Sequence, residues 1–149
     1  MEVDVRRLGP GDEEAVQAAR SLFDGPPEAE ATRRFLAEPT HHLLVAYDAA
    51  GEPLGFVTGV ELTHPDKGTE MFLYELGVDE RARRQGVGRS LVESLAALAR
   101  EHGCYDMWTA TEPDNLAAQA TYLRAGARMI PPQVVVEWDF GGAARQHDR

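Results

Sequence analysis

The residues of this chain best suited to chemistry surround the stretch Leu76 to Leu91. There a β-like run, Met71 to Val78, breaks into a charged turn, then Gly86-Val87-Gly88, then an amphipathic helical pattern. Such a turn leaves main-chain N–H groups pointing outward at a helix start, where the dipole also favours negative charge. Glycines let a bulky anion approach the backbone, and Arg83, Arg84 and Arg89 add positive charge around it. A phosphate-bearing cofactor is the natural occupant; the competing reading is a plain strand-to-helix turn with solvated arginines. The three-glycine dinucleotide fingerprint is absent, as is the Gly-Lys-Ser/Thr of a nucleotide-hydrolysing loop.

Just upstream, Glu75 alternates with Met71 and Leu73, so a carboxylate is expected on a strand face that is otherwise apolar. Burial raises a carboxyl pKa, which suits a base that takes a proton from an ammonium group. A wet edge position or a structural ion pair would explain the same residue. Tyr122 lies on the inward stripe of a later helix with Ala118, where core packing accounts for it equally well. The adjacent His41 and His42 point to opposite faces of a strand and predict no metal site.

The elements that must position these residues follow from the hydrophobic pattern. Val3, Val5 and Leu8 suggest a first strand, and Asp12 caps a helix carrying Val16, Ala19 and Phe23. Pro26-Pro27 opens a second short helix that stops before Pro39. His42 to Tyr47 and Leu54 to Leu62 read as a hairpin, and Glu70 to Val78 as the central strand. Val87, Leu91, Leu95 and Leu98 share one helical face, with Gly103 as the stop. Tyr105 to Thr111 is expected as a strand, Asp114 or Asn115 as the cap of a helix that runs to Gly126, and Ala127 to Ile130 and Val134 to Phe140 as closing strands around Pro131-Pro132. This order predicts a mixed α/β sheet, antiparallel early, with a right-handed crossover in the middle.

Residues 1–140 read as a single domain and 141–149 as a flexible tail. A chain of 149 residues buries one core without disulfides or metal. The lone Cys104 cannot form an internal disulfide, and nothing resembles a signal peptide or membrane span, so a cytoplasmic setting is expected. With 25 acidic against 15 basic residues the net charge is −10. That argues against a nucleic-acid or membrane partner and favours cationic ones, although an acidic balance also simply keeps a protein soluble.

Arg83, Gly86 and Gly88 meet the pattern Arg/Gln-x-x-Gly-x-Gly/Ala, and Asn115, Ala118, Tyr122 and Gly126 meet a second, Asn followed by a helix with Ala, Tyr and a closing Gly. Together they resemble the acetyl-coenzyme A site of the GNAT superfamily of N-acetyltransferases, from about Val3 to Phe140. Within it, Thr69 to Val78 with Arg83-Arg84-Gln85-Gly86, Ala120 to Gly126 and Val136-Glu137-Trp138-Asp139 are similar to the aminoglycoside 3-N-acetyltransferases. One departure is Glu75, where those enzymes usually carry Asp.

The resemblance implies a GNAT-type sheet, mostly antiparallel, with splayed central strands flanked by helices and acetyl-CoA entering the gap. It implies main-chain contacts to the pantetheine arm from Leu76, Gly77 and Val78, and pyrophosphate on the N–H groups of Gln85, Gly86, Val87, Gly88 and Arg89. Ser90 would stand near the helix start, Arg83 and Arg84 would offer side chains, and Asn115 would touch the pantetheine. Glu75 becomes the general base and Tyr122 the general acid for the thiolate. Glu70, Tyr74, Glu112, Asp114, Glu137 and Asp139, with Glu61, would line the acceptor cleft. The implied reaction is direct attack by an amine of a small polycationic substrate, foremost the 3-amino group of an aminoglycoside, in a ternary complex. Other amines (a polyamine, an amino acid, a protein N-terminus) and a non-catalytic acyl-CoA-binding module are the alternatives. Many relatives form homodimers through the last strands, which Val134 to Trp138 would serve here; a helix-covered sheet face explains those residues too.

Overall fold

The structure is a computed structural model that describes residues 2–142. The elements run β1 (Asp4–Leu8), α1 (Glu13–Ala18), α2 (Ala29–Ala37), β2 (His41–Tyr47), β3 (Pro53–His64), β4 (Gly68–Val78), α3 (Val87–Glu101), β5 (Met107–Trp108) and α4 (Leu116–Arg124). Short 3-10 turns at Arg20–Leu22 and Glu80–Ala82 punctuate them. One five-stranded sheet has the order β1-β2-β3-β4-β5, antiparallel throughout except for the parallel β4–β5 pair.

The hairpin between β2 and β3 closes on Asp48, whose Oδ1 accepts the N–H groups of Ala50 and Glu52 at 2.9 Å each. Its register sends alternate residues to two cores. Leu44, Ala46, Val57, Met71 and Leu73 pack against Val87, Leu91, Val92, Leu95 and Ala99 of α3. On the other face, Leu43, Val45, Tyr47 and Phe56 meet Val16 of α1 and Leu36 of α2. Each large side chain so buried contributes about 1.5–3 kcal/mol, so the two cores clamp the sheet from both sides over β1, β2 and β3.

The first helix is shorter than its pattern suggests: α1 ends at Ala18, and Asp12 accepts the Gly9 N–H instead of capping it with its side chain. Three larger features also depart from the sequence reading. Thr58 pairs with Glu75 while Gly59 pairs with Leu73, so Tyr74 is an extra, bulged residue in β4. A bulge reverses the alternation beyond it. Leu76 and Val78 therefore continue the face of Met71 and Leu73 toward α3. Glu75, expected on that face, instead shares the opposite one with Gly77, where a Cβ would meet Phe56 Cε1 at 2.7 Å.

The fifth strand is also far shorter than expected. It pairs with β4 only at Met71–Met107 and Phe72–Trp108. At the next step the Thr109 hydroxyl donates to Leu73 O at 2.8 Å, a side chain standing where a ladder N–H would continue the pairing. From there the two strands diverge, which is the splay.

Finally, residues 127–140 form no strand. Their alternation suits a β-strand, but β5 offers a two-residue edge, too short for a ladder, and Pro131-Pro132 removes two donors. Val134, Val136, Trp138 and Phe140 remain exposed. Of the predicted tail, residues 143–149 lie outside the described residues.

Candidate active site

The chain leaves β4 through Asp79, whose Oδ1 accepts Arg81 N–H at 2.9 Å and whose own N–H donates to Leu54 O at 2.7 Å. This anchor holds a tight path through Glu80–Ala82 to two left-handed positions, Arg84 at φ 64° and Gly86 at φ 84°. A left-handed arginine costs about 1 kcal/mol; the loop retains it next to its candidate anion site, where such strain tends to collect.

Gly86 caps α3 with no side-chain hydrogen bond, and the first bond inside the helix runs from Ser90 N–H to Gly86 O at 3.0 Å. The N–H groups of Val87, Gly88 and Arg89 thus have no acceptor within the helix and carry its positive dipole end. A Cβ on Gly86 would meet nothing within 4 Å, so the main chain is open to a ligand here. These donors fit a diphosphate.

The second glycine does something else. A Cβ on Gly88 would lie 3.3 Å from Thr121 Cγ2 and 3.5 Å from Val78 Cγ2, so Gly88 brings α3 close to α4 and to the end of β4. Val87 is buried in the α3 core and Ser90 half-buried. Among the side chains, Arg83 Nε donates to Val78 O at 3.2 Å, Gln85 Nε2 to Arg81 O at 3.1 Å, and Arg89 Nε to Glu93 Oε2 at 3.1 Å. All three are exposed, as is Arg84.

At the splay, the Glu75 N–H donates to Thr58 Oγ1 at 3.1 Å, which gives the bulge a polar partner. Glu75 itself is half-buried on the face away from α3. Tyr122 packs from α4 against the α3 core. Burial pushes its phenol pKa up, and contact with the Thr109 hydroxyl pulls the other way. Because Thr109 also bonds Leu73 O, Tyr122 stands at the fork of β4 and β5. Thr58 and Thr109 are the polar residues that sequence reasoning missed; threonines in strands carry no signal until the bulge and the splay exist.

Asn115 is the α4 cap, its Oδ1 accepting Ala118 N–H at 3.1 Å. Glu70 receives His64 Nε2 at 3.0 Å and Tyr105 Oη at 3.4 Å, and the His64 bond holds its carboxyl below the usual range. Asp106 beside it is pushed up, by burial first and by the Glu70 charge second. Tyr74 is 37 % exposed on the same face as Glu70. Glu112 and Asp114 are exposed in the turn before α4, their carbonyls accepting from Asn115 and Leu116. Glu137 and Asp139 lie in the exposed final segment, with no strand to bring them to the cleft.

Glu61 is not on the acceptor face. Its Oε2 takes His42 Nε2 at 2.6 Å and His102 Nδ1 at 2.9 Å, beside the C-terminal end of α3. These three are a metal-ligating set by composition. Arg7 Nη2, however, lies 2.9 Å from His42 Nδ1. A guanidinium only donates, so Nδ1 must accept, and Nε2 carries the proton given to Glu61. A metal on Nε2 would need the opposite tautomer, so the set is satisfied as a hydrogen-bond chain.

The fold is a mixed α/β sheet flanked by helices, with an uncapped, glycine-led helix start at the end of β4. The family model of the acetyltransferase (GNAT) family matches residues 13–127, and the chain belongs to that family, whose acetyl donor is acetyl-CoA. Among similar proteins, the L-2,4-diaminobutyric acid acetyltransferase of Streptomyces coelicolor is 36% identical over 57% of this chain and 52% of its own length. The chain matches only about half the length of such relatives. The D-amino-acid N-acetyltransferase HPA3 of Saccharomyces cerevisiae is 33% identical over 80% of this chain and 81% of its own. Among solved structures, an aminoglycoside N-acetyltransferase, AAC(6')-Iy in complex with CoA, superposes with a TM-score of 0.77 at 20% identity, covering 93% of this chain and 95% of that one. No helix among the described residues is long and apolar enough to cross a membrane.

Proposed function

We propose that the protein is an N-acetyltransferase acting on an amine of a small polycationic substrate, foremost an aminoglycoside. The observation that carries this reading is the fork. β4 and β5 part after Phe72–Trp108, the uncapped start of α3 lies against the end of β4, and Glu75 stands on the opposite face of the same strand. Bound acetyl-CoA supplies the acetyl group as a thioester. Its diphosphate would rest on the N–H groups from Gln85 to Arg89, with Arg83, Arg84 and Ser90 near it. Leu76, Gly77 and Val78 would line the pantetheine path along β4, and Asn115 would meet it from α4.

The chain's own residues handle the protons. Glu75 removes one from the acceptor ammonium, directly or through water, so that the neutral amine attacks. Tyr122 keeps its proton at neutral pH, because burial holds its pKa up, and donates it to the sulfur as the C–S bond breaks; the acylated nitrogen sheds its surplus proton to solvent, which restores the phenol. Neither step needs a covalent acetyl-enzyme, and Cys104, half-buried beyond α3, has no part in it. The names of the relatives divide between amino-acid and aminoglycoside acceptors; the net charge of −10 supports the polycation. The resemblance in sequence favours the 3-amino group, whereas the solved neighbour with CoA is of the 6' type by name.

Incubation with acetyl-CoA and a panel of aminoglycosides, diamines and amino acids, following free thiol, tests the reading. Rapid release with aminoglycosides is expected, and product NMR assigns the amine. Release only with amino acids or short diamines would replace the acceptor, and binding without turnover would leave an acyl-CoA-binding module. Homodimerisation through the last segment belongs to the same proposal, supported by the exposure of Val134 (88%), Trp138 (74%) and Phe140 (92%). Sedimentation giving a monomer at all concentrations would remove it.

A further inference from the structure

α1 and α2 pack on β1, β2 and β3, and the turn after α1 reaches the end of β4, where a Cβ on Gly77 would lie 3.3 Å from Leu22 O. Among the described residues, the part of the face away from α3 that Phe72, Tyr74 and Trp108 make is half-buried to exposed, and it is aromatic. Trp108 and Phe72 stack with ring centroids 4.4 Å apart, and Phe72 meets Tyr74 edge-on at 5.8 Å. Trp108 is 40% and Tyr74 37% exposed. The strip has a carboxylate at each end. Glu75 follows Tyr74 directly, turned onto this face by the bulge. At the far end Glu70 faces the Trp108 indole and the Asp106 carboxyl.

Exposed rings grouped in one patch keep apolar area in water, and such patches mark ligand-binding surfaces. A saccharide ring offers them an apolar C–H face, while ammonium groups are drawn to ring faces and to carboxylates. Glu70 and Glu75 are four ladder steps apart in the register of β4 against β3, about 13 Å at the usual rise of a strand.

Resting on the acetyl-transfer reading, we propose that Phe72, Tyr74 and Trp108 form the floor on which an amino-sugar oligomer lies, with Glu70 holding a second ammonium about 13 Å from the one presented to Glu75. This selects against short diamines. The two nitrogens of 2,4-diaminobutyrate reach only about 5 Å, and cannot engage both ends of the strip. A linear polyamine spans the distance but lacks the ring face that the platform suits.

The test compares Trp108→Ala, Trp108→Phe and Glu70→Gln with the wild type on kanamycin, spermine and 2,4-diaminobutyrate. Trp108→Ala should raise KM for kanamycin by about tenfold and Trp108→Phe by less. kcat and the KM for acetyl-CoA should stay within about twofold, which a general loss of folding would not permit. Glu70→Gln should raise KM for kanamycin several-fold more than for diaminobutyrate. Independently, a Trp138→Phe background leaves Trp108 as the sole indole, since the chain has two tryptophans; its emission should titrate with kanamycin and not with diaminobutyrate. Thiol release by the wild type with an unaltered kanamycin KM in Trp108→Ala and Glu70→Gln overturns the platform while acetyl transfer stands. Equal losses for diaminobutyrate, or stronger dependence for spermine than for kanamycin, also overturn it. Saturable indole titration by kanamycin without thiol release from any amine would instead sink the acetyl-transfer reading and keep the platform.

Discussion

Substitution of Gly86 separates shape from charge at the candidate diphosphate site. Its φ of 84° is open to glycine, costs an ordinary residue about 1–2 kcal/mol, and is tolerated best by Asn and Asp. Nothing beyond the chain neighbours stands within 4 Å of a Cβ there, so either side chain starts into open space. Gly86→Asn and Gly86→Asp therefore have nearly the same shape and strain. They differ by one negative charge beside the N–H groups that would hold the ligand. A unit charge about 4 Å from another is worth from about 1 kcal/mol in water to about 4 kcal/mol near a protein surface. Facing the two charges of a diphosphate, Asp should cost at least about 2 kcal/mol more than Asn, roughly thirtyfold in affinity. Isothermal titration with coenzyme A at low salt measures the difference, and added salt should shrink it. Melting temperatures of the two variants should agree within a few degrees. Equal affinity of Gly86→Asp and Gly86→Asn for coenzyme A would show that no diphosphate binds at the start of α3, and the placement of the cofactor there would fail.

Three further outcomes follow from the site. Glu75→Gln should lower kcat/KM by about a hundredfold at neutral pH, the scale of general-base catalysis; an unchanged pH–rate profile would remove Glu75 from proton transfer. Tyr122→Phe should reduce kcat by a similar factor with little effect on coenzyme A affinity, whereas a plain packing role would lower the melting temperature and spare kcat. The third concerns pH. Burial holds the His42 pKa below its usual value, partly opposed by its bond to Glu61. Burial also raises the Glu61 carboxyl, but its bonds to His42 and His102 outweigh that and leave it lowered. A histidine with a depressed folded pKa contributes its full stability above about pH 6.5 and loses it as the pH falls toward the folded value. The lowered Glu61 adds a second loss nearer pH 4 in the same direction. Urea midpoints should thus decline on acidification from pH 7, and the decline near pH 6 should be absent in His42→Gln. A flat profile in the wild type would show that His42 is not held neutral by its surroundings.

Much of the fold was legible because local patterns and tertiary demands agree. The apolar stripe Val87-Leu91-Leu95 forms the buried face of α3, and the two β runs around Gly51 form the hairpin. Where they disagree, the reading went astray. Residues 134–140 alternate like a strand, yet alternation without a neighbouring edge makes no ladder. β5 ends after two residues because Thr109 gives its hydroxyl to Leu73 O, an interaction that local sequence does not encode.

The sequence by itself determined the glycine turn, the arginines around it, the Asn115 cap and the identities of Glu75 and Tyr122, since these depend on residue type and short spacing. Only the tertiary structure decided which way Glu75 faces. One extra residue at Tyr74 turned it from the α3 core to the opposite face, beside an aromatic strip assembled from two strands 36 residues apart in their Phe72–Trp108 pairing. A period-two pattern cannot register a bulge, because the partner strand, and not the bulged one, sets where the extra residue falls.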